Sequence, residues 1–562
     1  MRILFLTRSF NSLTQRLYLD LTAAGHDVAI EFDIADAVTR EALERWRPSL
    51  VVATFLKRAI PEAVWRALPC LVVHPGVVGD RGPSALDRAV ADGEPTWGVT
   101  VLQATAEMDA GPVWASETFT MREATKSSLY RHEVTEAASR AVLAAVAHFE
   151  RCGAVAPPAP PPDPRGRWRP LMTQAERRID WRRDDTRTVL RKIRAADGVP
   201  GVLDELFGAP CHLYDAHAEP GVRDAAPGEV LARRGDALLR ATVDGAVWIG
   251  HVRRTDTETD FKLPAALAFA RESATLPERP LALDAPADAG WREIRYEARG
   301  RHVGVLHFPF YNGAMSTAQC RRLLEALRFA LAQPTRVLVL AGGPDFWSNG
   351  IHLHVIEAAD SPADESWRNI HAIDDVAQAL IETTDRLVVA ALQGNAGAGG
   401  AFLALAASWV WARPGVVLNP HYKNMGNLYG SEYWTYLLPR RLKCGTPADV
   451  MGRRLPLSAA QARQLGLVDD VFGNRPDDFL ATVVERAAAL AVSPEWPALV
   501  EARRRQRADD EAARPLAAYR TDELERMRRN FYGFDTSYHV ARSNFVRRVA
   551  PSWTPRHLAI HR

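Results

Sequence analysis

The sequence predicts an α/β protein of several domains, and three observations support this fold class. The chain has 562 residues, too many for one hydrophobic core, so we expect two or three domains. Short apolar runs alternate with helix-like segments in two separate parts of the chain, a pattern typical of parallel sheets. Proline-rich segments at 154–164 and 275–290 mark boundaries, because proline cannot continue a helix.

These boundaries predict four segments. Residues 1–153 are expected to form a Rossmann-like domain around a parallel sheet, and 165–270 a small β-rich, barrel-like domain. Residues 290–495 carry the second α/β series, and 496–562 are charge-rich with helical spacing. Because this last segment has too few apolar residues for its own core, we expect a helical extension that packs against the preceding domain. The strand-like runs are 3–7, 26–32, 50–55 and 70–73 in the first series, and 303–308, 337–340 and 387–392 in the second.

Composition excludes several classes of protein. A net charge of +2 produces no strong field, so nucleic acid is not expected as a partner. The five cysteines are scattered and form no CxxC pair, so we predict neither disulfides nor a metal site, and a reducing cytoplasm fits. The first apolar run is too short for a signal peptide, and no run of about 18 apolar residues predicts a membrane span.

The densest polar motif of the first series follows the strand at 70–73. His74 opens it, Gly76 comes two residues later, and Asp80 lies in the glycine-rich run 79–83. Ligands of open parallel sheets bind at the carboxyl ends of the strands, where a histidine can serve as acid or base and glycine lets backbone approach. Asp109, just before a Gly-Pro pair, is expected to orient or charge-pair His74.

These motifs, with the strand 98–101, resemble the 10-formyltetrahydrofolate transferases, and 178–201 resembles the C-terminal domain of methionyl-tRNA formyltransferases. The resemblance covers about 1–260. It implies that His74 and Asp109 promote transfer of a formyl group from folate to a nucleophile, with Gly76 and Asp80 near the cofactor. One position departs from the family: Val72 stands where these enzymes have an asparagine, and an apolar side chain cannot hydrogen-bond a developing oxyanion.

The second α/β series has two glycine-bearing motifs, 345–351 and 393–400, each directly after a strand-like run. Backbone N–H groups in such runs point at ligands, and two of them around a thioester carbonyl make an oxyanion hole. Together they resemble the crotonase, or enoyl-CoA hydratase/isomerase, superfamily over roughly 292–490. The resemblance implies that the N–H groups of Ile351 and Gly399 hold the carbonyl oxygen, and that Gly350 and Gly397 line a coenzyme A site.

Two departures from the crotonase pattern argue against hydratase activity in this module. Hydratases activate water with two glutamates, and Phe402 and His421 occupy those positions here. A block dense in ionisable and aromatic residues follows at 419–434. This block, the string at 79–87 and the order of the two modules resemble the HypX/HoxX family of [NiFe]-hydrogenase maturation proteins over nearly the whole chain. By that resemblance, Tyr422 and Glu432 act in the second site.

The resemblance also implies a reaction sequence. The first site would move a formyl group from 10-formyltetrahydrofolate to coenzyme A, and the second would split formyl-CoA into carbon monoxide and coenzyme A. Carbon monoxide would become a ligand of the hydrogenase iron, with small molecules and other maturation proteins as partners. Because coenzyme A phosphates need basic partners, we predict contacts from some of these arginines: Arg8, Arg131, Arg453, Arg454 and Arg542.

Two alternatives stay open at this stage. The first is a formyltransferase that acts on an amine, joined to an acyl-CoA hydrolase. The second is a non-catalytic scaffold for hydrogenase assembly, which Val72 and Phe402 favour because both replace polar groups of related active sites.

Overall fold

The computed structural model describes residues 1–222 and 224–562 and divides into two compact units. The first unit comprises Met1–Asp260, Pro264–Glu278 and Ala550–Arg562, and the second comprises Phe261–Leu263 and Arg279–Val549. Within the described ranges, no helix is both long and apolar enough to cross a bilayer.

The first unit contains two sheets and their covering helices. Its strands are β1 (Arg2–Thr7), β2 (Asp27–Phe32), β3 (Leu50–Phe55), β4 (Cys70–His74), β5 (Thr96–Gln103), β6 (Val113–Thr120), β7 (Val202–Leu206), β8 (Ala209–Glu219), β9 (Val230–Arg234), β10 (Ala237–Ala241), β11 (Ala246–Arg254) and β12 (Leu263–Pro264). Its helices are α1 (Ser12–Ala23), α2 (Asp36–Trp46), α3 (Glu62–Trp65), α4 (Ala85–Asp92), α5 (Lys126–Leu129), α6 (Thr135–Cys152), α7 (Gln174–Arg177), α8 (Thr186–Ala196), α9 (Ala265–Ala268) and α10 (Ala270–Ser273), with a π-helical turn at Tyr130–Val134.

The first sheet has the strand order β2-β1-β3-β4-β5-β6. Strands β1 to β4 are parallel, as predicted, and their buried apolar residues explain why the runs form central strands. Strand β5 runs antiparallel to both of its neighbours, β4 and β6. For the pair β5 and β6 the reason is their short connection, since only a hairpin can join neighbouring strands over so few residues. A Cβ on Gly111 would lie 1.8 Å from the Gln103 carbonyl oxygen, which shows how tightly this connection folds back.

The second sheet is antiparallel, in the order β7-β8-β11-β10-β9, and β12 pairs with β11. Helix α8 contributes Val189, Leu190 and Ile193 to the apolar cluster on this sheet. The segment between α6 and α7 contains the proline-rich linker and returns to the loop after β4. The backbone N–H of Asp163 donates to the Val78 carbonyl (3.0 Å), and that of Arg169 donates to the Arg81 carbonyl (3.0 Å).

The C-terminal residues of the first unit cover the edge strand β2. The backbone N–H of Ile30 donates to the Leu558 carbonyl (3.0 Å). Glu31 is fully buried, and its carboxylate accepts hydrogen bonds from Thr554, His561 (2.8 Å) and Arg562 (3.0 Å). Burial acts to raise the pKa of Glu31, but hydrogen bonds from these side chains lower it below its ordinary value. Our expectation that the whole C-terminal segment packs on the preceding domain is therefore wrong for 550–562.

The second unit contains a central sheet, smaller sheets and many helices. Its strands are β13 (Arg295–Arg299), β14 (Val303–Phe308), β15 (Ala314–Met315), β16 (Val337–Gly342), β17 (Phe346–Ser348), β18 (Gly350–Ile351), β19 (Leu387–Leu392), β20 (Asn395–Gly397), β21 (Trp409–Ala412), β22 (Val417–Asn419), β23 (Leu457–Ser458) and β24 (Asp470–Val471). Its helices are α11 (Thr317–Ala332), α12 (Leu353–Ala358), α13 (Pro362–Glu382), α14 (Gly399–Leu405), α15 (Trp434–Arg441), α16 (Pro447–Gly452), α17 (Ala459–Leu465), α18 (Pro476–Val492), α19 (Trp496–Ala513), α20 (Leu516–Tyr532) and α21 (Ser537–Val546).

The central sheet has the order β13-β14-β16-β19-β21-β24 and is parallel except for β13. A second sheet, β17-β20-β22-β23, and the pair β15-β18 carry the short segments that follow the central strands. The C-terminal helix α20 contributes Leu524, Met527 and Phe531 to the core of this unit. Helix α20 of the C-terminal segment therefore packs on the core of the second unit.

The buried Glu31 generates a prediction about the stability of the first unit. Replacing His561 and Arg562 together by leucine removes these two hydrogen-bond donors but keeps apolar bulk over the carboxylate. Because an uncompensated buried charge is costly, we expect the free energy of unfolding to fall by about 3 kcal/mol, measured by urea denaturation. Adding Glu31→Gln should restore part of the loss. Glu41→Gln is the control, because Glu41 is the more exposed carboxylate that also pairs with Arg562, at 3.5 Å. Equal losses with and without Glu31→Gln would contradict this explanation.

Candidate active sites

The first candidate site lies at the carboxyl end of β4, where His74 is 5% exposed. Its Nε2 lies 3.0 Å from Oδ2 of Asp80, and its Nδ1 lies 3.7 Å from Oδ2 of Asp109. The structure therefore brings together the histidine and the acidic residue that the sequence motifs pair. It also shows that Asp80, predicted only as a cofactor neighbour, is the closer partner.

Two glycines make this arrangement possible. A Cβ on Gly76 would lie 2.4 Å from Nε2 of His74 and 2.7 Å from the Asp80 carboxylate, so a side chain there would separate the pair. The backbone N–H of Gly82 donates to Oδ2 of Asp109 (3.1 Å), and Asp109 adopts a left-handed conformation with φ of 55°. These contacts fix both carboxylates around one imidazole, which suits a histidine that gains and loses a proton.

Arg169 is a member of this site that the motifs do not reveal. Its Nη2 donates to Oδ1 of Asp80 (3.1 Å), so one carboxylate joins the arginine to the histidine. Arg169 follows the proline-rich linker in the sequence. No local pattern predicts that this segment returns to β4, and the backbone pairing at Arg81 is what places it there.

The remaining predicted residues of the first unit lie around the same edge or in a helical turn. Arg8 directly follows β1, whose carboxyl end shares the sheet edge with His74, and its backbone N–H donates to the Phe55 carbonyl (2.7 Å). Arg131 lies half-buried in the π-helical turn before α6. Val72 is half-buried and packs beside an apolar cluster, so position 72 supplies no hydrogen bond to a formyl oxygen.

The second candidate site forms where Gly350, Gly399 and Glu432 meet. A Cβ on Gly350 would lie 3.1 Å from the Gly399 nitrogen, so the two predicted oxyanion-hole segments lie side by side. A Cβ on Gly399 would lie only 2.0 Å from Oε1 of Glu432, so the carboxyl group rests directly on the Gly399 backbone. Glycine is required at both positions, and Gly350 additionally has a φ of +77°.

Glu432 is 1% exposed and accepts a short hydrogen bond from the Tyr422 hydroxyl. The two side chains that the family resemblance assigns to this site are therefore in direct contact. Phe402, which replaces a hydratase glutamate, stacks on Tyr422 with ring centroids 5.3 Å apart. His421, which replaces the other, is also buried. Phe402 thus forms part of the aromatic surroundings of Tyr422.

Two further carboxyl groups lie beside Glu432. Asp374, from α13, accepts a hydrogen bond from the Glu432 backbone N–H (2.9 Å) and lies within 2.9 Å of the Ser431 hydroxyl through both oxygens. Glu523, from α20, accepts hydrogen bonds from the backbone N–H groups of Tyr433 (2.9 Å) and Thr435 (2.8 Å). Neither carboxyl group is exposed to solvent.

Burial changes the acidity of this cluster, because a charged carboxylate loses its solvation. Burial and then the charge of Asp374 raise the pKa of Glu432 to about 8. The same two causes raise the pKa of Glu523 to about 8, and burial raises the pKa of Asp374 to about 6. Burial and the adjoining Glu432 also hold the pKa of Tyr422 well above its ordinary range, so the phenol remains protonated.

The positions of Asp374 and Glu523 on their helices are the sequence feature that could have identified them as buried residues. Asp374 interrupts the buried stripe formed by Ile370, Ile373 and Ala377, and Glu523 adjoins Leu524 on the buried face of α20. A charged residue on the apolar face of a helix indicates a partner in the core. The sequence does not reveal which partner, because α13 and α20 lie far apart along the chain.

The predicted phosphate-binding arginines of the second unit occupy different environments. Arg453 is exposed after α16, and Arg454 donates to the Asn427 side chain (2.9 Å). Arg542 is 4% exposed and donates to Oε2 of Glu357 (2.8 Å). Gly397 lies at the end of β20, where a Cβ would approach the Asn349 side chain to 2.9 Å. Their contacts with coenzyme A remain predictions.

The folds and sites define a class of protein, a formyltransferase joined to an enoyl-CoA hydratase/isomerase-like module. Residues 31–146 match the formyl transferase family model, 171–259 match the formyl transferase C-terminal domain, and 305–554 match the enoyl-CoA hydratase/isomerase family. Over the N-terminal part, the chain is 28% identical to a methionyl-tRNA formyltransferase of Burkholderia pseudomallei, covering 39% of this chain and 65% of that protein.

Two relatives extend over the whole chain. The hydrogenase maturation factor HoxX of Bradyrhizobium diazoefficiens is 56% identical and is matched over 100% of this chain and 97% of its own length. A crystal structure of HypX from Aquifex aeolicus in complex with tetrahydrofolic acid is 48% identical, with a TM-score of 0.96 and coverage of 100% of this chain and 99% of that one. The chain belongs to the HoxX/HypX family of hydrogenase maturation factors.

The raised pKa of Glu432 generates a prediction about stability against pH. The folded-state pKa of about 8 lies above the ordinary carboxyl value of 4.5, so Glu432 stabilises the fold at low pH and this contribution disappears as pH rises through 8. Glu432→Gln should therefore raise the melting temperature at pH 8.5 relative to wild type more than it does at pH 6. Calorimetry at the two pH values measures the difference. An equal change at both would show that Glu432 does not titrate in this range.

Proposed function

We propose that this protein transfers a formyl group from 10-formyltetrahydrofolate to coenzyme A in the first unit and decarbonylates formyl-CoA to carbon monoxide in the second. The observation that carries the proposal is the buried Glu432 carboxyl group, bonded to Tyr422 and resting on Gly399. It provides one acid–base group at the position of a thioester carbonyl, while both hydratase glutamates are absent. The carbon monoxide would serve as a ligand of the hydrogenase iron.

The first reaction is a formyl transfer to a thiol. His74 takes the proton of the coenzyme A thiol, the thiolate attacks the formyl carbon, and the bond from that carbon to the folate nitrogen breaks. The imidazolium then returns its proton to the folate nitrogen, so atoms and charge balance. Asp80 and Asp109 stabilise the imidazolium, because each carboxylate lies within 3.7 Å of a ring nitrogen. The folate complex of the Aquifex aeolicus relative supports the choice of formyl donor.

The second reaction removes a proton and a thiolate from the same carbon. Ionised Glu432 takes the formyl proton, and the electron pair of the C–H bond stays on carbon. The C–S bond breaks with its pair leaving on sulfur, which produces carbon monoxide and the coenzyme A thiolate. Glu432 then gives its proton to the thiolate, and the site returns to its starting state.

The acidity of Glu432 suits both halves of this reaction. Its pKa of about 8 is close to that of a thiol, about 8.5, so the final proton transfer needs no large change in free energy. An ordinary carboxylate would be a weaker base towards the formyl proton. Tyr422 stays protonated and donates to Glu432, so it orients the carboxyl group rather than competing for the proton.

The surroundings supply the remaining requirements. The N–H groups of Ile351 and Gly399 would hold the formyl oxygen, with Gly350 and Gly397 lining the thioester. Stacking of Phe402 on Tyr422 keeps this face apolar, and exclusion of water limits hydrolysis of the thioester to formate. Arg8 and Arg131 in the first unit, and Arg453, Arg454 and Arg542 in the second, are the candidate phosphate contacts.

Separate variants test the two steps. Glu432→Gln should lower carbon monoxide release from formyl-CoA by about 10²-fold or more, while formyl transfer from 10-formyltetrahydrofolate continues. His74→Ala should lower formyl transfer by a similar factor and leave decarbonylation of added formyl-CoA intact. Haemoglobin trapping measures carbon monoxide, and chromatography of the acyl thioester measures formyl transfer.

Matched controls are His148→Ala on α6 and Glu525→Gln on the exposed face of α20, both expected to behave as wild type. If both active-site variants lose the same step, the division between two sites is wrong. If wild type converts formyl-CoA only to formate, decarbonylation is wrong. Folate turnover stimulated by an amine without coenzyme A would favour the amine-directed alternative, and binding of both cofactors without turnover would favour a scaffold.

A further inference from the structure

The backbone that carries Glu432 is held in an unfavourable conformation. Glu432 and Tyr433 are consecutive non-glycine residues in the left-handed region, with φ of 59° and 58°. The left-handed region is sterically unfavourable for residues with a Cβ, so the surroundings must enforce the conformation. The consequence is that the carboxyl group of Glu432 keeps its place at Gly399 only while the contacts that hold this turn persist.

Two buried carboxyl groups make those contacts. The N–H of Glu432 donates to Asp374 (2.9 Å), and the N–H of Tyr433 donates to Glu523 (2.9 Å). Glu523 also accepts from the backbone N–H (2.8 Å) and the hydroxyl (2.6 Å) of Thr435, in the first turn of α15. Both strained residues, and the start of the helix after them, are therefore bonded to one of two acidic side chains.

The contacts of the Ser431 hydroxyl favour a protonated carboxyl group within the cluster. The Ser431 hydroxyl lies 2.8 Å and 2.9 Å from the oxygens of Asp374 and 3.4 Å from Oε2 of Glu523. A hydroxyl has one hydrogen, so it can donate to only one of these carboxyl groups. A favourable contact with the other requires a protonated carboxyl that donates to the serine oxygen.

Charge balance leads to the same conclusion. Asp374, Glu432 and Glu523 are all buried, and like charges in one buried site cannot all ionise near neutral pH. Arg520 lies 3.9 Å from Asp374 but pairs more closely with the half-exposed Asp375, at 2.7 Å. The titratable groups that interact with Glu432 are Tyr422 after β22, Cys320 on α11, Asp374 on α13 and Glu523 on α20, while Arg520 on α20 lies beside Asp374.

We propose that Glu523, supplied by the C-terminal helix α20, is a positioning residue that acts with Asp374 to hold Glu432 against Gly399 and to favour the protonated form of its carboxyl group in the unliganded protein. The placement and the protonation have one origin, because the same two carboxylates that bind the strained backbone also repel a charge on Glu432. The catalytic consequence rests on the decarbonylation proposed above, whereas the placement and the protonation do not.

An infrared titration of the unliganded protein tests the proposal without relying on turnover. Wild type should show protonated-carboxyl absorption that disappears near pH 8, where Glu432 and Glu523 both titrate, and Glu432→Gln should lose the part that belongs to Glu432. Glu523→Gln should lose the other part and move the remaining Glu432 band to lower pH by about one unit or more, because an amide at 523 cannot ionise beside it. Glu525→Gln, on the same helix but ion-paired to Arg529 at the surface, should titrate as wild type.

Asp374→Asn is the second variant, in case Glu523→Gln folds poorly, and it should shift the band in the same direction. Both variants should slow carbon monoxide release by about 10²-fold with little change in KM, since a misplaced acid–base group affects the reacting atoms and not thioester binding. Their pH–rate profiles should move with the infrared titration.

The outcomes separate the two proposals. If Glu523→Gln and Asp374→Asn leave both the titration and the rate unchanged, the positioning role is overturned. A shifted rate profile without an infrared shift would overturn the protonation part. If wild type makes no carbon monoxide but the infrared shifts occur as expected, the role of Glu523 stands and decarbonylation fails.

Discussion

The second site depends on burying the Glu432 carboxyl group where water cannot solvate its charge. Burial alone would make this residue a destabilising feature, and the structure compensates with a hydrogen bond from Tyr422 and neighbours that favour the neutral form. The carboxyl group touches Gly399 because no side chain intervenes there. Loss of any of these three conditions would move the acid–base group, change its acidity, or expose it to water.

The first unit handles a buried acid–base group differently. There His74 lies between the carboxylates of Asp80 and Asp109, and Arg169 donates to the second oxygen of Asp80. The first site therefore surrounds an imidazole with two acidic side chains and an arginine, whereas the second buries one carboxyl group beside two others.

The sequence was sufficient for the features that depend on local pattern. Strands such as Leu50–Phe55 and Leu387–Leu392 begin and end where their apolar runs predict. The motif residues His74 and Asp109, and the pair Tyr422 and Glu432, are brought together as the family resemblance implies. Glycine positions 76, 350 and 399 were identified for backbone approach, and the structure shows which atoms approach.

Features that depend on distant segments could not be predicted in this way. Arg169 reaches Asp80 because its segment pairs with Arg81, and residues 550–562 join the first unit, where His561 and Arg562 bind the buried Glu31. Asp374 and Glu523 each look like an isolated charge on an apolar helix face until their helices are placed in the core. In each case a buried charge selects its partner, and spacing along the chain carries no record of that choice.

The acidic cluster also accounts for the apolar side chain at position 402. Position 402 lies in van der Waals range of Tyr422, whose hydroxyl binds Glu432, so a glutamate there would add a fourth carboxyl group next to three buried ones. Its charge would raise the pKa of Glu432 further. An apolar ring at 402 avoids this repulsion, so the aromatic residue at this position and the buried acidic cluster around Glu432 depend on each other.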